Sequence, residues 1–316
     1  MHNTFVMGID IGGTNTVFGF INNKGAIIES KQISTKGNSP VSDLVNRLEK
    51  YLNNFMKSNP QLKLIGIGVG APNGNHFSGV IENPPNLKWG DVEIKSILED
   101  KISCNVILTN DANAAALGEK YYGQAKNMND FIMITLGTGL GSGIFSGGRL
   151  IYGNDGLAGE MGHIVVEMNG RKCNCGKQGC LEAYVSATGI KNTIHQMKKK
   201  YPGNDFLNSF QNNVPDGILI DRAYDDDDDI AKEIYEYTGM MLGKGLALAA
   251  NLFSPEAFIF YGGYSNAGKR ILDPAYIEME KQILSNHKGK IKLLNSTLPE
   301  GQAGILGAAS LIWKKN

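Results

Sequence analysis

The sequence has few of the features that mark exported, membrane-spanning or nucleic-acid-binding proteins. No apolar run approaches the roughly 18 residues that a membrane-spanning helix needs. Residues Met1 to Phe5 lack the charged segment, apolar run and cleavage site of a signal peptide. Lysine plus arginine equals aspartate plus glutamate, at 31 each, so no net positive charge attracts nucleic acid or an anionic membrane. We therefore expect a cytoplasmic protein that binds neither.

Two common nucleotide-binding motifs are also missing. No Gly-x-x-x-x-Gly-Lys-Ser/Thr sequence occurs, which argues against a Walker-type nucleotidase, and Gly66-x-Gly68-x-Gly70 does not complete a dinucleotide-binding fingerprint. Glycine itself is abundant, with 40 of 316 residues against a typical share of about 7%. These glycines cluster in particular loops, which predicts that the backbone approaches a ligand closely there.

Cysteine is scarce, but three of the four cysteines lie within eight residues. Cys173, Cys175 and Cys180 form the pattern Cys-x-Cys-Gly-x-x-Gly-Cys, and a Gly-His pair ending at His163 precedes them. Three thiolates and one imidazole make the closed four-ligand shell that structural zinc accepts. The alternatives are a cluster of buried thiols or a disulfide, which suits a secreted chain. We predict structural zinc at these four residues and an inert buried thiol at Cys104.

The length of 316 residues predicts two domains, and the periodicity of apolar residues predicts an α/β layout. The predicted strands are Val6–Asp10, Thr16–Ile21, Ala26–Ile33, Leu64–Gly70, Val106–Thr109 and Ala257–Tyr261. The predicted helices are Val41–Lys57, one beginning near Asp111, and Gly304–Lys315.

A strand, a turn of glycine and threonine, and a second strand occur twice in the sequence. Met7–Phe20 and Met133–Phe145 each carry this pattern near the beginning of one half. Such a duplication predicts two similar domains facing one another across a cleft. We place an N-terminal α/β domain at residues 1–118, completed by a C-terminal helix at 304–316. A second α/β domain, which carries the cysteine motif, is placed at 119–303.

The two glycine turns are candidate phosphate-binding loops, because backbone N–H groups at such a turn can cradle phosphate oxygens and a threonine hydroxyl adds a donor. The first is Gly12-Gly13-Thr14-Asn15, which an ordinary hairpin turn would also explain. The second is Gly137-Thr138-Gly139, followed by Gly141 and Gly143. The glycines of the second turn outnumber what one hairpin requires, and this favours phosphate binding.

Asn110-Asp111-Ala112-Asn113 follows a short predicted strand and begins a helix. One of these polar residues can cap the helix, but three in four positions exceed what a single cap uses. A carboxylate here can accept a proton from an attacking hydroxyl while the glycine turns hold the phosphates of a donor. We therefore favour catalysis over capping.

Together these motifs resemble the ROK family (repressors, open reading frames and kinases), within the larger group of sugar kinases, heat-shock proteins and actin. The resemblance covers essentially the whole chain, and the Gly-His pair combined with Cys-x-Cys-Gly-x-x-Gly-Cys-x-Glu is its most specific part. It rests on Asp10–Asn15, Glu82–Leu87 with Trp89, Asn110–Asn113, Leu136–Gly139, Gly159–His163, the cysteine motif ending at Glu182, and Gly262–Gly263.

The resemblance implies an actin/hexokinase-like fold, in which two α/β domains, each with a mixed sheet flanked by helices, surround an interdomain cleft. It implies ATP-dependent phosphorylation of a hexose at the 6-hydroxyl, with a glucokinase of glycolysis as the favoured activity. Kinases of N-acetylmannosamine, N-acetylglucosamine or fructose are the alternatives within the family. ATP, Mg²⁺ and structural zinc are the implied cofactors, and a homodimer or homotetramer is the implied assembly.

The resemblance also implies roles for single residues, with Asp111 as the general base and Asp10 positioning Mg²⁺. His163 would bind zinc through one ring nitrogen and face the sugar with the other. The implied sugar contacts are Asn83, Asn110, Asp111, Glu160, His163 and Glu182. The implied nucleotide and Mg²⁺ contacts are Asp10, Gly12, Gly13, Thr14, Asn15, Thr138, Gly139, Gly262 and Gly263.

Two rival functions belong to the same family. Its repressors carry a DNA-binding domain ahead of the first glycine turn, and here that turn starts by Asp10, which leaves no room for such a domain. The neutral charge also removes the electrostatic contribution on which DNA affinity depends. The other rival is a sugar-binding sensor without catalysis, against which the retention of Asp111 and both turns argues. We therefore expect an enzyme.

Overall fold

The structure is a computed structural model that describes residues 3–85, 87–210, 216–299 and 301–313. By residue contacts the chain divides into two compact units. The first comprises Met1–Asn129, Gly143–Ala158 and Thr297–Asn316, and the second comprises Asp130–Ser142 and Gly159–Ser296. Within the described ranges, every helix is too short or too polar to cross a bilayer.

Strands and helices alternate along most of the chain. The strands are β1 (Thr4–Ile11), β2 (Asn15–Asn22), β3 (Ile27–Ser34), β4 (Lys63–Ala71), β5 (Val106–Asn110), β6 (Phe131–Leu136), β7 (Leu140–Ser146), β8 (Arg149–Leu150), β9 (Ala257–Tyr261) and β10 (Lys292–Asn295). The helices are α1 (Val41–Ser58), α2 (Ile94–Ile102), α3 (Asp111–Tyr122), α4 (Glu182–Val185), α5 (Ala187–Lys200), α6 (Asp205–Ser209), α7 (Gly217–Asp225), α8 (Asp229–Phe253), α9 (Lys269–Gln282) and α10 (Gln302–Trp313). The predicted strands and helices all occur, although the predicted end of the last helix, at Lys315, lies outside the described residues.

The first sheet has the strand order β3-β2-β1-β4-β5, in which β2 runs antiparallel to both neighbours while β1, β4 and β5 are parallel. Side chains alternate across it, as the pleat of a strand requires. On one face, Phe5 and Met7 of β1 belong to an apolar core that includes Leu48 of α1. On the other, Val6 belongs to a cluster with Leu306 of α10. The C-terminal helix α10 therefore packs on the sheet of the first unit.

Two strand glycines let α10 lie directly on the sheet. A Cβ at Gly8 of β1 would collide with the carbonyl oxygen of Ile305, and a Cβ at Gly68 of β4 would collide with that of Ala308. Any other residue at these positions would push the helix backbone away from the strands.

The predicted boundary at residue 118 falls inside α3. The whole of that helix stays in the first unit, where a Cβ at Gly118 would collide with the backbone of Ala303 on α10. The division by contacts also returns Gly143–Ala158 to the first unit, so it passes through β7. Neither the composition nor the periodicity of apolar residues indicates that this short segment belongs to the first unit.

The second sheet has the strand order β10-β9-β6-β7-β8. Strands β6, β9 and β10 are parallel, and β8 is antiparallel to β7. Read from β8, the order 8-7-6-9-10 repeats the order 3-2-1-4-5 of the first sheet. The predicted fold class, with two mixed sheets flanked by helices, is confirmed.

The contact of α10 with the sheet yields a test of stability. We expect Gly68→Ala to lower the free energy of unfolding by roughly 3 kcal/mol or more, because the added methyl collides with helix backbone that cannot rotate away. Gly137→Ala is the control, because a Cβ at Gly137 meets no atom within 4 Å. Urea unfolding of both variants measures the difference. Equal stability of the two would show that α10 does not lie against Gly68.

Candidate active site

The two acidic candidates of the first unit lie at one edge of its sheet. Asp10, near the end of β1, pairs with Gly70 of β4, and Asn110, at the end of β5, pairs with Ala71. Asp111 follows as the first residue of α3. Because β1, β4 and β5 are parallel, their carboxyl ends meet at this edge, which is where open α/β sheets bind ligands.

The first turn of α3 shows which hydrogen bonds of the Asn110 and Asp111 side chains are explained by helix capping. Asn110 is the N-cap, and its Oδ1 accepts a hydrogen bond from the N–H of Ala112 at 2.9 Å. Oδ1 of Asp111 accepts from the same N–H at 2.8 Å. The N–H of Asp111 itself also donates to this carboxylate, and no third donor to it lies in the described part of the chain. Capping therefore accounts for Asn110 and for one oxygen of Asp111, and the second oxygen stays available to a ligand.

Burial changes the acidity of both carboxyl groups. It raises the pKa of Asp10 to about 7, with a further contribution from the neighbouring Asp111 carboxylate. It also raises the pKa of Asp111, while hydrogen bonds from backbone N–H groups partly offset the effect. Gly304 of α10 lies against Asp10, so that a Cβ there would collide with Oδ2. Both groups are held where the charged form is disfavoured unless a cation or donor is present.

The surroundings of the Asp10 carboxyl group suit a divalent cation. No residue in the described ranges donates a hydrogen bond to its carboxyl group, and a second carboxylate lies close enough to raise its pKa. Carboxylate oxygens are the ligands that Mg²⁺ prefers, usually with several retained waters.

The first glycine turn closes the β1–β2 hairpin. The N–H of Gly12 donates to the carbonyl of Asn15 at 2.9 Å. Thr35, just after β3, secures the turn, because its hydroxyl donates to the carbonyl of Gly12 at 2.7 Å and its N–H donates to that of Thr14 at 2.8 Å. Thr14 and Asn15 are exposed, and Gly13 is half-buried. The role of Thr35 has no signal in the sequence, since it lies 23 positions from Gly12.

The second glycine turn follows β6. The N–H of Gly137 donates to the carbonyl of Gly139 at 3.0 Å, and the N–H of Ala187 donates to the carbonyl of Gly137 at 3.0 Å. The N–H of Leu140 donates to Oε2 of Glu182 at 3.0 Å. Glu182, which the resemblance assigns to the sugar, thus also contacts this turn.

The two glycines that the resemblance assigns to the adenosine side follow β9, the strand next to β6. Gly262 has φ of 105°, and a Cβ there would collide with the carbonyl of Leu136 at the end of β6. Gly263 begins a short 3₁₀ helix, and a Cβ on it meets no atom within 4 Å. Gly262 therefore lies beside the residue that precedes the second glycine turn.

The four predicted zinc ligands lie together in the second unit. Their ligand atoms all fall within 4.8 Å of one another. Sγ of Cys175 and Sγ of Cys180 are 3.6 Å apart, and Sγ of Cys173 is 3.7 Å from Nδ1 of His163. Sulfurs bound to one tetrahedral zinc at about 2.3 Å would be about 3.8 Å apart. The cysteines are free thiols, so the alternative of a disulfide is not what the structure contains.

Electrostatics also suit a metal at this cluster. Burial raises the pKa of Cys180 to about 12 and raises that of Cys173 as well. A bound cation would offset this effect and stabilise the thiolates. The predicted inert thiol, Cys104, is half-buried, and burial raises its pKa to about 11.

Arg171 attaches the cysteine loop to the helices behind it. Its guanidinium donates to the carbonyls of Ala183 and Gly189 at 3.2 and 3.0 Å and to Oγ1 of Thr193 at 3.0 Å. It also lies 4.7 Å from the ring centroid of Tyr184. No sequence motif indicates this residue, because the partners of its guanidinium follow it by 12 to 25 positions.

The remaining sugar candidates lie in loops. Asn83 is exposed, with φ of 38°, and its N–H donates to Oδ1 of Asp91 at 2.9 Å. Asn86, in the same motif, lies outside the described residues. Glu160 is exposed and accepts, at its carbonyl, a 3.0 Å hydrogen bond from the N–H of His163. Non-glycine residues at positive φ are uncommon and often mark functional loops.

The sequence profile of the ROK family matches residues 6–315. The chain belongs to the ROK family. It is 33% identical to the glucokinase of Halalkalibacterium halodurans over 322 residues, which cover 99% of this chain and 96% of that protein.

The crystal structure of a ROK family glucokinase from Streptomyces griseus, in complex with glucose and AMPPNP, matches with a TM-score of 0.81 at 32% identity, over 97% of this chain and 98% of that one. The xylose repressor of Bacillus subtilis is 30% identical over 98% of this chain and 77% of the repressor. The family therefore contains both enzymes and regulators that are similar to this chain.

The raised pKa of Asp10 predicts a pH dependence of stability. Its folded value of about 7 exceeds the ordinary value of 3.8, so the folded state binds more protons and loses stability as pH rises through this window. We expect Asp10→Asn to raise the free energy of unfolding at pH 8, without Mg²⁺, by up to about 4 kcal/mol, since a tenfold change in proton affinity corresponds to about 1.4 kcal/mol. The gain should shrink towards pH 4.

Urea titrations at pH 4.5, 6 and 8 measure this effect, with the exposed Asp43→Asn as the control. A stability difference between Asp10→Asn and wild type that stays constant over this pH range would contradict the raised pKa.

The cysteine cluster predicts a metal content. Freshly purified protein should contain about one zinc ion per chain, and Cys173→Ser should lose most of it, because three ligands bind zinc much less tightly than four. Cys104→Ser is the matched control and should keep its zinc. Elemental analysis by mass spectrometry measures all three proteins, and wild type without zinc would rule the site out.

Proposed function

We propose that this protein is an ATP-dependent hexose kinase that phosphorylates the 6-hydroxyl of its substrate, with glucose as the favoured hexose. The observation that carries the proposal is the acidic pair at the carboxyl edge of the first sheet. A half-buried Asp10 that accepts no hydrogen bond from the described residues, and an Asp111 with one available oxygen, would supply a cation ligand and a base. Similarity over nearly the full chain to proteins named glucokinase supports the substrate class.

Asp111 is the proposed general base. Phosphoryl transfer needs an in-line attack by an oxygen nucleophile, and a carboxylate that accepts the hydroxyl proton makes that oxygen a better nucleophile. Because burial raises its pKa, Asp111 is a stronger base than an exposed aspartate. Its bond to the N–H of Ala112 fixes the direction of the carboxyl group.

The two glycine turns are the proposed phosphate contacts. Thr14 and Thr138 are exposed at the two turns, so that their hydroxyl and N–H groups can donate to phosphate oxygens. Gly262 and Gly263 are proposed for the adenosine side of ATP. Asp10 would hold Mg²⁺, which supplies positive charge that neutralises the phosphates of the donor.

Asn83, Asn110, Glu160, His163 and Glu182 are the proposed sugar contacts beside Asp111. Sugar hydroxyls both donate and accept hydrogen bonds, so carboxylates and amides can discriminate their stereochemistry. A site of this kind rejects a sugar that lacks one hydroxyl, because a buried polar group then stays unpaired. Zinc on the cysteine cluster would hold His163 in place through one ring nitrogen.

The competing proposals share this site. A kinase of N-acetylmannosamine, N-acetylglucosamine or fructose needs only a different loop around the sugar. A sensor binds sugar without forming product, and the similarity to a xylose repressor is the observation that favours it. A homodimer or homotetramer, and a location in the cytoplasm, stay predictions.

The decisive experiment measures ADP release and sugar phosphate formation with Mg-ATP. We expect wild type to phosphorylate glucose faster than N-acetylmannosamine, N-acetylglucosamine and fructose in the same panel. Asp111→Asn should lower kcat by about 100-fold or more, because general base catalysis typically contributes that much. Since Asp111 accepts the proton in its charged form, kcat/KM should fall on the acid side at a pH above the usual range for aspartate.

Asp100→Asn, on the exposed surface of α2, is the matched control and should keep wild-type kinetics. Saturable binding of glucose without sugar phosphate, detected by mass spectrometry, would replace the kinase with the sensor. Full activity of Asp111→Asn would remove the assigned base while leaving the kinase.

A further inference from the structure

The second glycine turn, Gly137–Gly139, is held by groups from outside it. The carbonyl of Gly137 accepts the N–H of Ala187, the first residue of α5, at 3.0 Å. The carboxylate of Glu182, the first residue of α4, accepts the N–H of Leu140 at 3.0 Å. The hydroxyl of Thr135, in β6, accepts the N–H of Gly141 at 3.2 Å. Three separate segments thus fix the two ends of one short turn.

The contact with Glu182 is close as well as polar. A Cβ at Gly139 would come within 2.6 Å of Oε2 of Glu182, so the carboxylate occupies the space where a side chain would otherwise stand. A side chain at this position would require the Glu182 carboxylate to shift away from the turn. The carboxylate and the turn backbone pack directly against each other.

These contacts leave a defined set of donors at the turn. The N–H groups of Gly137, Leu140 and Gly141 already donate within the protein. The N–H groups of Thr138 and Gly139 donate to no residue in the described part of the chain, and Thr138 is exposed. Two consecutive N–H groups with a neighbouring hydroxyl form the concave donor set that binds a phosphate.

We infer that Thr135, Glu182 and the backbone N–H of Ala187 are positioning groups that hold the Thr138 and Gly139 donors ready for a nucleotide phosphate. The inference rests on the proposed function and extends it, because it assigns Glu182 a role at the nucleotide as well as at the sugar. Hydrogen bonds made before the ligand arrives reduce the ordering needed on binding. Loss of the bond made by Ala187 or by Thr135 should weaken the phosphate contact without changing any proposed sugar contact.

Ala187→Pro tests the inference directly. Proline has no N–H, and it is well tolerated at the first position of a helix. Ser186, with φ of -77° and ψ of 173°, already has the extended backbone that a following proline requires. We expect the KM for ATP to rise about fivefold, the effect of losing one ordinary hydrogen bond, while the KM for glucose stays within twofold of wild type.

Thr135→Val is the second variant, because it keeps the shape of the strand residue and removes the acceptor for Gly141. Like Ala187→Pro, this variant should raise the KM for ATP. The control is Asp205→Pro, an exposed first helical residue of α6 after the extended residue Asn204, which should leave both KM values unchanged. Thermal unfolding shows which variants fold. If Ala187→Pro does not fold, the KM for ATP of Thr135→Val tests the inference.

The outcomes separate the inference from the proposed function. Wild type that makes no sugar phosphate removes the kinase. Active wild type with an unchanged KM for ATP in the folded variants removes the positioning role and keeps the kinase. An equal rise in both KM values indicates a general loss of structure, which overturns the inference too.

Discussion

The contact of α10 with β1, β4 and α3 is the constraint on which the acidic site depends. Gly8 and Gly68 let the helix lie on the two strands, and Gly304 places its backbone against the carboxyl group of Asp10. On its other side, a Cβ at Gly307 would collide with the carbonyl of Ala114 on α3. One helix thus fixes the strand that carries Asp10 and the helix that begins with Asp111. A shift of α10 would change the distance between the two carboxyl groups.

Burying two carboxyl groups next to each other is unfavourable for the isolated protein. Desolvation disfavours their charged forms, and the Asp111 carboxylate further raises the proton affinity of Asp10. Only hydrogen bonds at the start of α3 offset this for Asp111. Such an arrangement persists in a fold when the remainder of the unit is stable enough to hold it, and it becomes favourable when a cation arrives. Ligand binding and the stability of this edge of the sheet are therefore coupled.

Local patterns predicted the parts of the structure that local physics determines. Alternation and helical spacing predicted β1, β2 and α1, and the ligand types and spacing predicted that His163 and the three cysteines lie together. Contacts between distant positions were not predictable. Thr35 holds the first glycine turn and Glu182 holds the second across 23 and 42 positions, and a single sequence carries no record of such pairing. The return of Gly143–Ala158 to the first unit was missed for the same reason.

A sugar sensor and a sugar kinase need different chemical groups in their binding sites. Recognition of a hexose needs donors and acceptors, which neutral side chains and backbone groups can supply. It does not need a carboxylate such as Asp10, whose pKa is raised to about 7 by burial and by Asp111. Nor does it need a turn such as Gly137–Gly139, with two N–H groups kept available by three outside contacts. The N–H groups of the turn can stabilise negative charge on a phosphate, and the Asp10 carboxylate can stabilise a cation beside that phosphate. This favours a protein that moves a phosphoryl group over one that only binds sugar.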